Sequence, residues 1–139
     1  MGVRRRAREM ALQALYAMDL TDRWEEDVSE HLYEKDRWPS SVSHAAAILA
    51  GVLERREPID EAIGGHTDHW SLSRMNLIDR NLLRIAAYEL LFCDDIPPKV
   101  SINEAIELGK QYGTRETKRF LNGILDRMAQ HPSPKTDEP

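Results

Sequence analysis

Arg4, Arg5, Arg6 and Arg8 place four cations in the first eight residues, with no acid among them. Guanidinium groups are planar forks of donors that match phosphate oxygens, so such a run can grip a nucleic-acid backbone. The whole chain has a net charge of −5, which leaves −9 on everything after these arginines. A uniformly acidic body repels a polyanion, whereas a cationic patch confined to one end still holds phosphates. The same run also serves as a solvated helix start or a solubilising tail, and the residues by themselves leave these readings open.

A second segment has related chemistry. Gly113-Thr114-Arg115-Glu116-Thr117-Lys118-Arg119-Phe120 puts three cations, one acid and an aromatic around a helix start, with Lys110 shortly before it. Helix starts attract phosphates, and an aromatic ring stacks on an unpaired base at about 1–3 kcal/mol. Phe120 also fits the apolar face of the last helix, and the cations also fit a solvated surface. The two segments form one discontinuous cationic surface only if the first and last helices lie side by side.

Catalytic patterns are missing from the sequence. It has no glycine-rich phosphate loop, no nucleophile elbow, no H-E-x-x-H and no cysteine pair at metal spacing. His66-Thr67-Asp68-His69 has two histidines three apart but lacks a complete ligand set, so a polar surface loop is expected there. Cys93, the single cysteine, ends an apolar run without a neighbouring His or Lys and reads as an inert buried thiol. It permits no internal disulfide and fits a reducing cytoplasm. No catalytic residue, cofactor or metal is expected.

The elements that must position these residues read as helices throughout. A period of 3.6 dominates, and no segment alternates apolar and polar residues for long. From Arg4 to Leu20, an apolar stripe of Ala7, Met10, Ala14 and Ala17 leaves the arginines at the positive end of the helix dipole. That placement costs a few tenths of a kcal/mol each at an exposed site, a hint that an anion belongs there. A shorter helix is predicted over residues 25–37, broken at Trp38-Pro39-Ser40-Ser41. Ser41 or Ser43 is expected to cap the next helix, which continues to Glu57; Pro58 either kinks it, the preferred reading, or opens a new helix that ends at Gly64-Gly65.

Leu77 to Phe92 is apolar nearly all round and predicts a central buried helix, with Arg80, Arg84 and Tyr88 as its one wet stripe. Asp94 to Pro98 predicts a rigid turn, Ser101 and Glu104 a capping box, and Gly113 a left-handed stop. Thr114 then caps a last helix with Phe120, Leu121, Ile124, Leu125 and Met128 facing inward, and residues 131–139 form a frayed tail. At 139 residues, with 41% hydrophobic and 31% charged residues, one all-helical domain over residues 1–130 is expected, needing no disulfide. No stretch nears the roughly 18 apolar residues of a membrane span. The arginines lead into Ala7, Glu9 and Met10 rather than an apolar signal core, so a cytoplasmic protein is expected.

Four stretches carry a resemblance to a known family. Arg4-Arg5-Arg6-Ala7-Arg8-Glu9 leads into Ala11-Leu12-Gln13-Ala14-Leu15-Tyr16, followed later by Leu82-Leu83-Arg84-Ile85-Ala86-Ala87-Tyr88-Glu89-Leu90. Then come Ile96-Pro97-Pro98-Lys99-Val100-Ser101-Ile102-Asn103-Glu104-Ala105-Ile106-Glu107-Leu108 and Phe120-Leu121-Asn122-Gly123-Ile124-Leu125-Asp126. In order and spacing they resemble the bacterial NusB family of transcription antitermination proteins, over most of residues 3–127 and most weakly between about 20 and 75. The resemblance implies an all-α bundle of about six to seven helices in two packed subdomains. It implies a partnership with the ribosomal protein NusE, binding of boxA RNA in ribosomal RNA leaders, and action with NusA, NusG and RNA polymerase. By the same resemblance Arg4, Arg5, Arg6, Arg8, Glu116, Arg119 and Phe120 belong to the RNA side, joined by the nearby cations Lys110, Arg115 and Lys118. Tyr16 and Asp79 match partner-side positions, with Arg80 and Arg84 on the same helix as Asp79. Gly109 stands where the family more often has alanine, at a cost of about 1 kcal/mol unless close packing needs the space.

Four to seven cations on single-stranded phosphates give a salt slope of roughly −3 to −5, a modest affinity that a basic partner would supplement. An acid-rich body suits such a partner. Two other readings compete: the detached RNA-recruiting module of an rRNA cytosine methyltransferase, for which no Rossmann-like segment or catalytic cysteine motif follows, and a helix-turn-helix DNA regulator. A homodimer that hides the RNA surface is compatible with the apolar central helices, since periodicity does not separate an intersubunit seam from a core.

Overall fold

Helical spacing of apolar residues becomes helix wherever the computed structural model describes the chain, over residues 2–24, 39–67 and 71–130. Six α-helices follow in order among the described residues: α1 (Val3–Thr21), α2 (Pro39–Glu54), α3 (Arg56–Gly64), α4 (Leu77–Phe92), α5 (Pro98–Tyr112) and α6 (Thr117–Gln130). A single 3-10 turn, Leu72–Arg74, precedes α4, and none of these residues is in a strand. The helix expected over 25–37, the residues Asp68 and His69, and the tail from 131 lie outside the described residues.

These helices form two compact units. The first, Met1–Glu54, contains α1 and α2, which pack on each other. Leu12, Leu15 and Met18 of α1 and Ala45, Leu49 and Val52 of α2 are fully buried, each large side chain contributing about 1.5–3 kcal/mol of transfer free energy. α2 starts at Pro39, earlier than the expected serine cap, because proline lacks a donor that a first turn leaves unused and has its φ preset for a helix. Ser41 is thereby freed for another role. Its hydroxyl donates to the Val3 carbonyl at 3.2 Å and ties α2 to the front of α1.

Pro58 separates α2 from α3 instead of kinking one continuous helix. Its ring and missing donor act on the residue four positions earlier, which is Glu54, and α2 ends there. Arg55 turns with φ −117° and ψ 27°, and Pro58 falls in the first turn of α3, where no donor is missed.

The second unit, Arg55–Pro139, is organised around α4, which packs against α3, α5 and α6. The span of α4 matches the patterning, but the expected wet stripe is interrupted: Arg80 and Tyr88 are half-buried and Arg84 between them is buried. Asp79, Arg84 and Glu89 are all buried. Steps of five residues rotate a helix by ~140°, so the three side chains leave α4 in three directions. Asp79 accepts from the Thr117 hydroxyl of α6 at 2.8 Å. Arg84 clamps Asp60 of α3 through Nε at 2.9 Å and Nη2 at 3.1 Å, and gives Nη1 to Asn81 Oδ1 at 2.9 Å. Glu89 accepts from the Ser101 hydroxyl of α5 at 2.6 Å. Each neighbouring helix is therefore registered on α4 by a polar bond, buried toward α5 and α6 and part-buried toward α3, that would be costly to leave half made. Tyr88, the third residue of the expected stripe, stacks on Phe92 with centroids 6.3 Å apart, and the Arg55 guanidinium lies 4.9 Å over the Phe92 ring.

That use of Ser101 overturns the expected capping box. α5 begins three residues earlier at Pro98, again with proline in the first turn, and the serine hydroxyl faces Glu89. Gly113 ends α5 as expected but not in the left-handed region, since its φ is −96°. Space requires it instead: a methyl group there would come within 2.8 Å of the Gly109 carbonyl oxygen and of Thr117 Cβ. Gly109 has the same cause, its added methyl group meeting Thr117 Cγ2 at 2.8 Å and Leu121 Cδ1 at 3.2 Å. Close approach of α6 to α5 uses both glycines.

Candidate nucleic-acid interface

The first cationic segment stands on the opening turns of α1. Gly2 is extended at the helix start and no acid occupies the first turn, so the positive end of the helix dipole lies beside the arginines. Arg4 is exposed, and Arg5 and Arg6 are half-buried. Arg6 Nη1 donates to Glu9 Oε1 at 2.6 Å, a pairing set by their spacing of three on the helix. Arg8 is 5% exposed, so the helix buries one of the four expected phosphate ligands while leaving the others toward its surface. Tyr16 lies further along α1, 37% exposed.

The second segment is the turn between α5 and α6. Lys110, at the end of α5, is exposed and pairs with Glu107 at 3.1 Å. Arg115, Glu116, Lys118 and Arg119 are all exposed. α6 starts at Thr117, one turn after the predicted cap, yet Thr114 does cap the turn itself: its hydroxyl accepts from the Glu116 amide at 3.3 Å. The Thr114 amide in turn donates to Thr117 Oγ1 at 2.9 Å, the returning bond of a Thr-x-x-Thr box whose forward bond comes from the Glu116 amide. Leu121, Ile124, Leu125 and Met128 face inward as the spacing predicts. Phe120 is only half-buried and lines an open cavity of about 580 Å³.

The wall of that cavity includes Arg74, Met75, Asn76, Asp79 and Glu116. Asn76 caps α4, its Oδ1 accepting from the Asp79 amide at 2.8 Å while its Nδ2 donates to Asp79 Oδ2 at 3.1 Å. Asp79 is 8% exposed, and burial pushes its carboxyl above the ordinary value of 3.8, opposed by the bonds from Thr117 and Asn76. Arg80 gives Nη1 to the Leu72 carbonyl at 3.0 Å, holding the 3-10 turn against α4. With Arg84 buried against Asp60, the charges of α4 expected to face a partner are engaged inside this unit. Asn76 and Thr117 escaped the sequence reading. Their signal was present as Asn-x-x-Asp and Thr-x-x-Thr, two spacings that suit helix-start caps.

Nothing in this arrangement resembles a reaction centre. Burial pushes the Cys93 thiol up, reinforced by the charges of Glu89 and Asp95 against the Tyr88 bond and the Arg55 cation, so the nucleophilic thiolate is disfavoured. His66 Nδ1 lies 2.9 Å from the Ala62 carbonyl. Among the described residues no three His, Cys, Asp or Glu side chains are grouped for a metal ion, and no helix is long and apolar enough to cross a membrane. What the surface offers is exposed cations, a half-buried aromatic ring, and the Glu116 and Asp79 carboxylates lining the same cavity.

Comparison with known proteins places this geometry in context. The model of the NusB family matches residues 5–130. The transcription antitermination protein NusB of Trichlorobacter lovleyi is 48% identical over 139 residues, covering 99% of this chain and 96% of that protein. Among solved structures, T. maritima NusB is similar with a TM-score of 0.82 at 40% identity, covering 95% of this chain and 94% of its own. A crystal structure of antitermination factors NusB and NusE in complex with dsRNA contains a chain similar with a TM-score of 0.77 at 27% identity, covering 92% of this chain and 96% of that one.

Proposed function

The chain belongs to the NusB family of transcription antitermination proteins, and on that premise we propose that it binds single-stranded boxA RNA of ribosomal RNA leaders jointly with NusE. In this role it works alongside NusA, NusG and RNA polymerase to keep transcription of ribosomal RNA processive, as a binding factor rather than an enzyme. The observation that carries the reading is the turn ahead of α6 together with the first turn of that helix, where Arg115, Lys118 and Arg119 are exposed and a half-buried Phe120 lines a cavity with Asn76, Asp79 and Glu116. Cations there hold phosphates without regard to sequence, while the ring and the nearby acceptors meet bases that are splayed out. The likeness to a chain solved with NusE and RNA supports the same partners for this protein.

At the front of α1, Arg4, Arg5 and Arg6 add charge where the helix dipole already favours an anion. A basic ribosomal protein offsets the net negative body, with Tyr16 as the exposed aromatic contact. The test is titration of boxA RNA, a scrambled RNA and duplex DNA at several salt concentrations, with and without NusE. Preference for boxA RNA that is strengthened by NusE is expected. Equal affinity for all three nucleic acids defeats the reading.

A further inference from the structure

Arg115, Glu116, Lys118 and Arg119 are exposed, but the group that holds their turn in place is buried beneath them. Thr117 has no exposed surface. Its hydroxyl accepts from the Thr114 amide at 2.9 Å and donates to Asp79 Oδ1 at 2.8 Å. A hydroxyl has one proton and two lone pairs, and an ionised carboxylate only accepts. Asp79 therefore draws the Thr117 proton toward α4 and leaves the lone pairs turned to the Thr114 amide. The carboxylate is itself fixed at its other oxygen by Asn76 Nδ2. A chain of bonds thus runs from the start of α4 through the Thr117 hydroxyl to the backbone of the turn. It is charge-assisted where the acceptor is the Asp79 carboxylate. The turn ends in Glu116 and leads within one helical turn to Phe120, and both line the same cavity as Asn76 and Asp79.

We infer that Thr117 is a positioning residue for RNA recognition, acting through Asp79 to hold residues 113–116 and the ring of Phe120 in the geometry that an unpaired strand meets. The inference rests on the proposed function and deepens it. Cations on long stems reach a phosphate from many backbone conformations, whereas a short glutamate and an aromatic face do not. A loosened turn therefore costs the contacts to bases and spares the contacts to phosphates. It also gives Asp79 a task that its burial permits, since a side chain 8% exposed offers little to a partner directly.

Thr117→Val tests this because valine keeps the shape and the methyl group packed over Gly109 while removing the hydroxyl. In the chain with NusE, boxA RNA binding by this variant is expected to weaken roughly tenfold, the size of one lost charge-assisted hydrogen bond. The slope of affinity against salt should stay parallel to wild type, in contrast to Arg119→Ala, which flattens it. Thr117→Ser restores the hydroxyl and should bind within about threefold of wild type. Amide exchange at Thr114 should quicken in the valine variant and not in the serine one. Should the valine variant not fold, Asp79→Asn measured without NusE should weaken RNA binding with the same parallel slope. Wild-type affinity in Thr117→Val, or in Asp79→Asn if that variant stands in for it, overturns the positioning role. So does a loss in Thr117→Ser as large as in Thr117→Val, which would make the methyl packing responsible. A wild-type chain without preference for boxA over scrambled RNA defeats the proposed function itself, and that result is read before any variant is made.

Discussion

The front of α1 and the turn ahead of α6 both present arginines, yet they are built by opposite means. At the front of α1 a continuous helix supplies the geometry: successive side chains fan around its first turns, Arg4 is exposed, and only Arg8 is drawn inside. Ahead of α6 the backbone leaves the helix, and its course is set by Gly113 pressed against Gly109, by the Thr114–Thr117 box, and by Asp79 below. A helix end needs few supports for a charge to be well placed. A turn that must aim a ring and a carboxylate needs buried polar ones.

The largest expected effect is on the turn. Gly113→Ala adds a methyl group within 2.8 Å of the Gly109 carbonyl and of Thr117 Cβ, atoms that have no room to withdraw. A loss of about 3 kcal/mol in urea unfolding is expected, together with weaker RNA binding. An unchanged midpoint would break the comparison, because the turn would then tolerate what a surface helix tolerates. Next in size is a contrast within α1 itself. Arg6→Ala removes the 2.6 Å ion pair to Glu9, whose side chain is 5% exposed, and should cost about 1 kcal/mol, whereas Arg4→Ala should change stability by less than about 0.5 kcal/mol. Arg4→Ala should nonetheless flatten the salt slope of RNA binding by about 0.7. Thermal melts and salt titrations of the two variants side by side check both halves.

The smallest effect is a pH dependence confined to the turn region. The Asp79 carboxyl titrates above 3.8 in the folded chain, so the folded state holds this proton more tightly than the unfolded one. Its contribution is most favourable below 3.8 and is lost as pH rises through the folded value. Relative to Asp79→Asn, wild-type stability should therefore decline from about pH 3 upward and level off once both states are ionised. A rise over the same interval would mean that the Thr117 and Asn76 bonds outweigh burial.

Helical periodicity alone located α1, α4 and the inward face of α6, because burying an apolar stripe dominates their free energy and the stripe is written in the residue types. Errors gathered at residues with two possible uses. Ser101 and Glu104 have the spacing of a capping box, but prolines start helices well, and the hydroxyl found a buried carboxylate twelve positions back. Arg84 falls on a stripe that looks wet because charge is normally solvated, yet Asp60 from another helix makes its burial tolerable. Gly113 suggested a left-handed stop and was needed for lack of space.

Composition and spacing determined the helical character of the described residues, where most of their apolar faces lie, and two clusters of cations in an acidic whole. Those properties are sums over neighbours in sequence, which any reader of the chain can form. Only the tertiary structure decided which charges face water, which glycines are spaces, and that Asp79 and Thr117, 38 positions apart, share one proton between α4 and α6. A buried hydrogen bond depends on a partner that folding brings within about 3 Å, and nothing local to either residue records who that partner is.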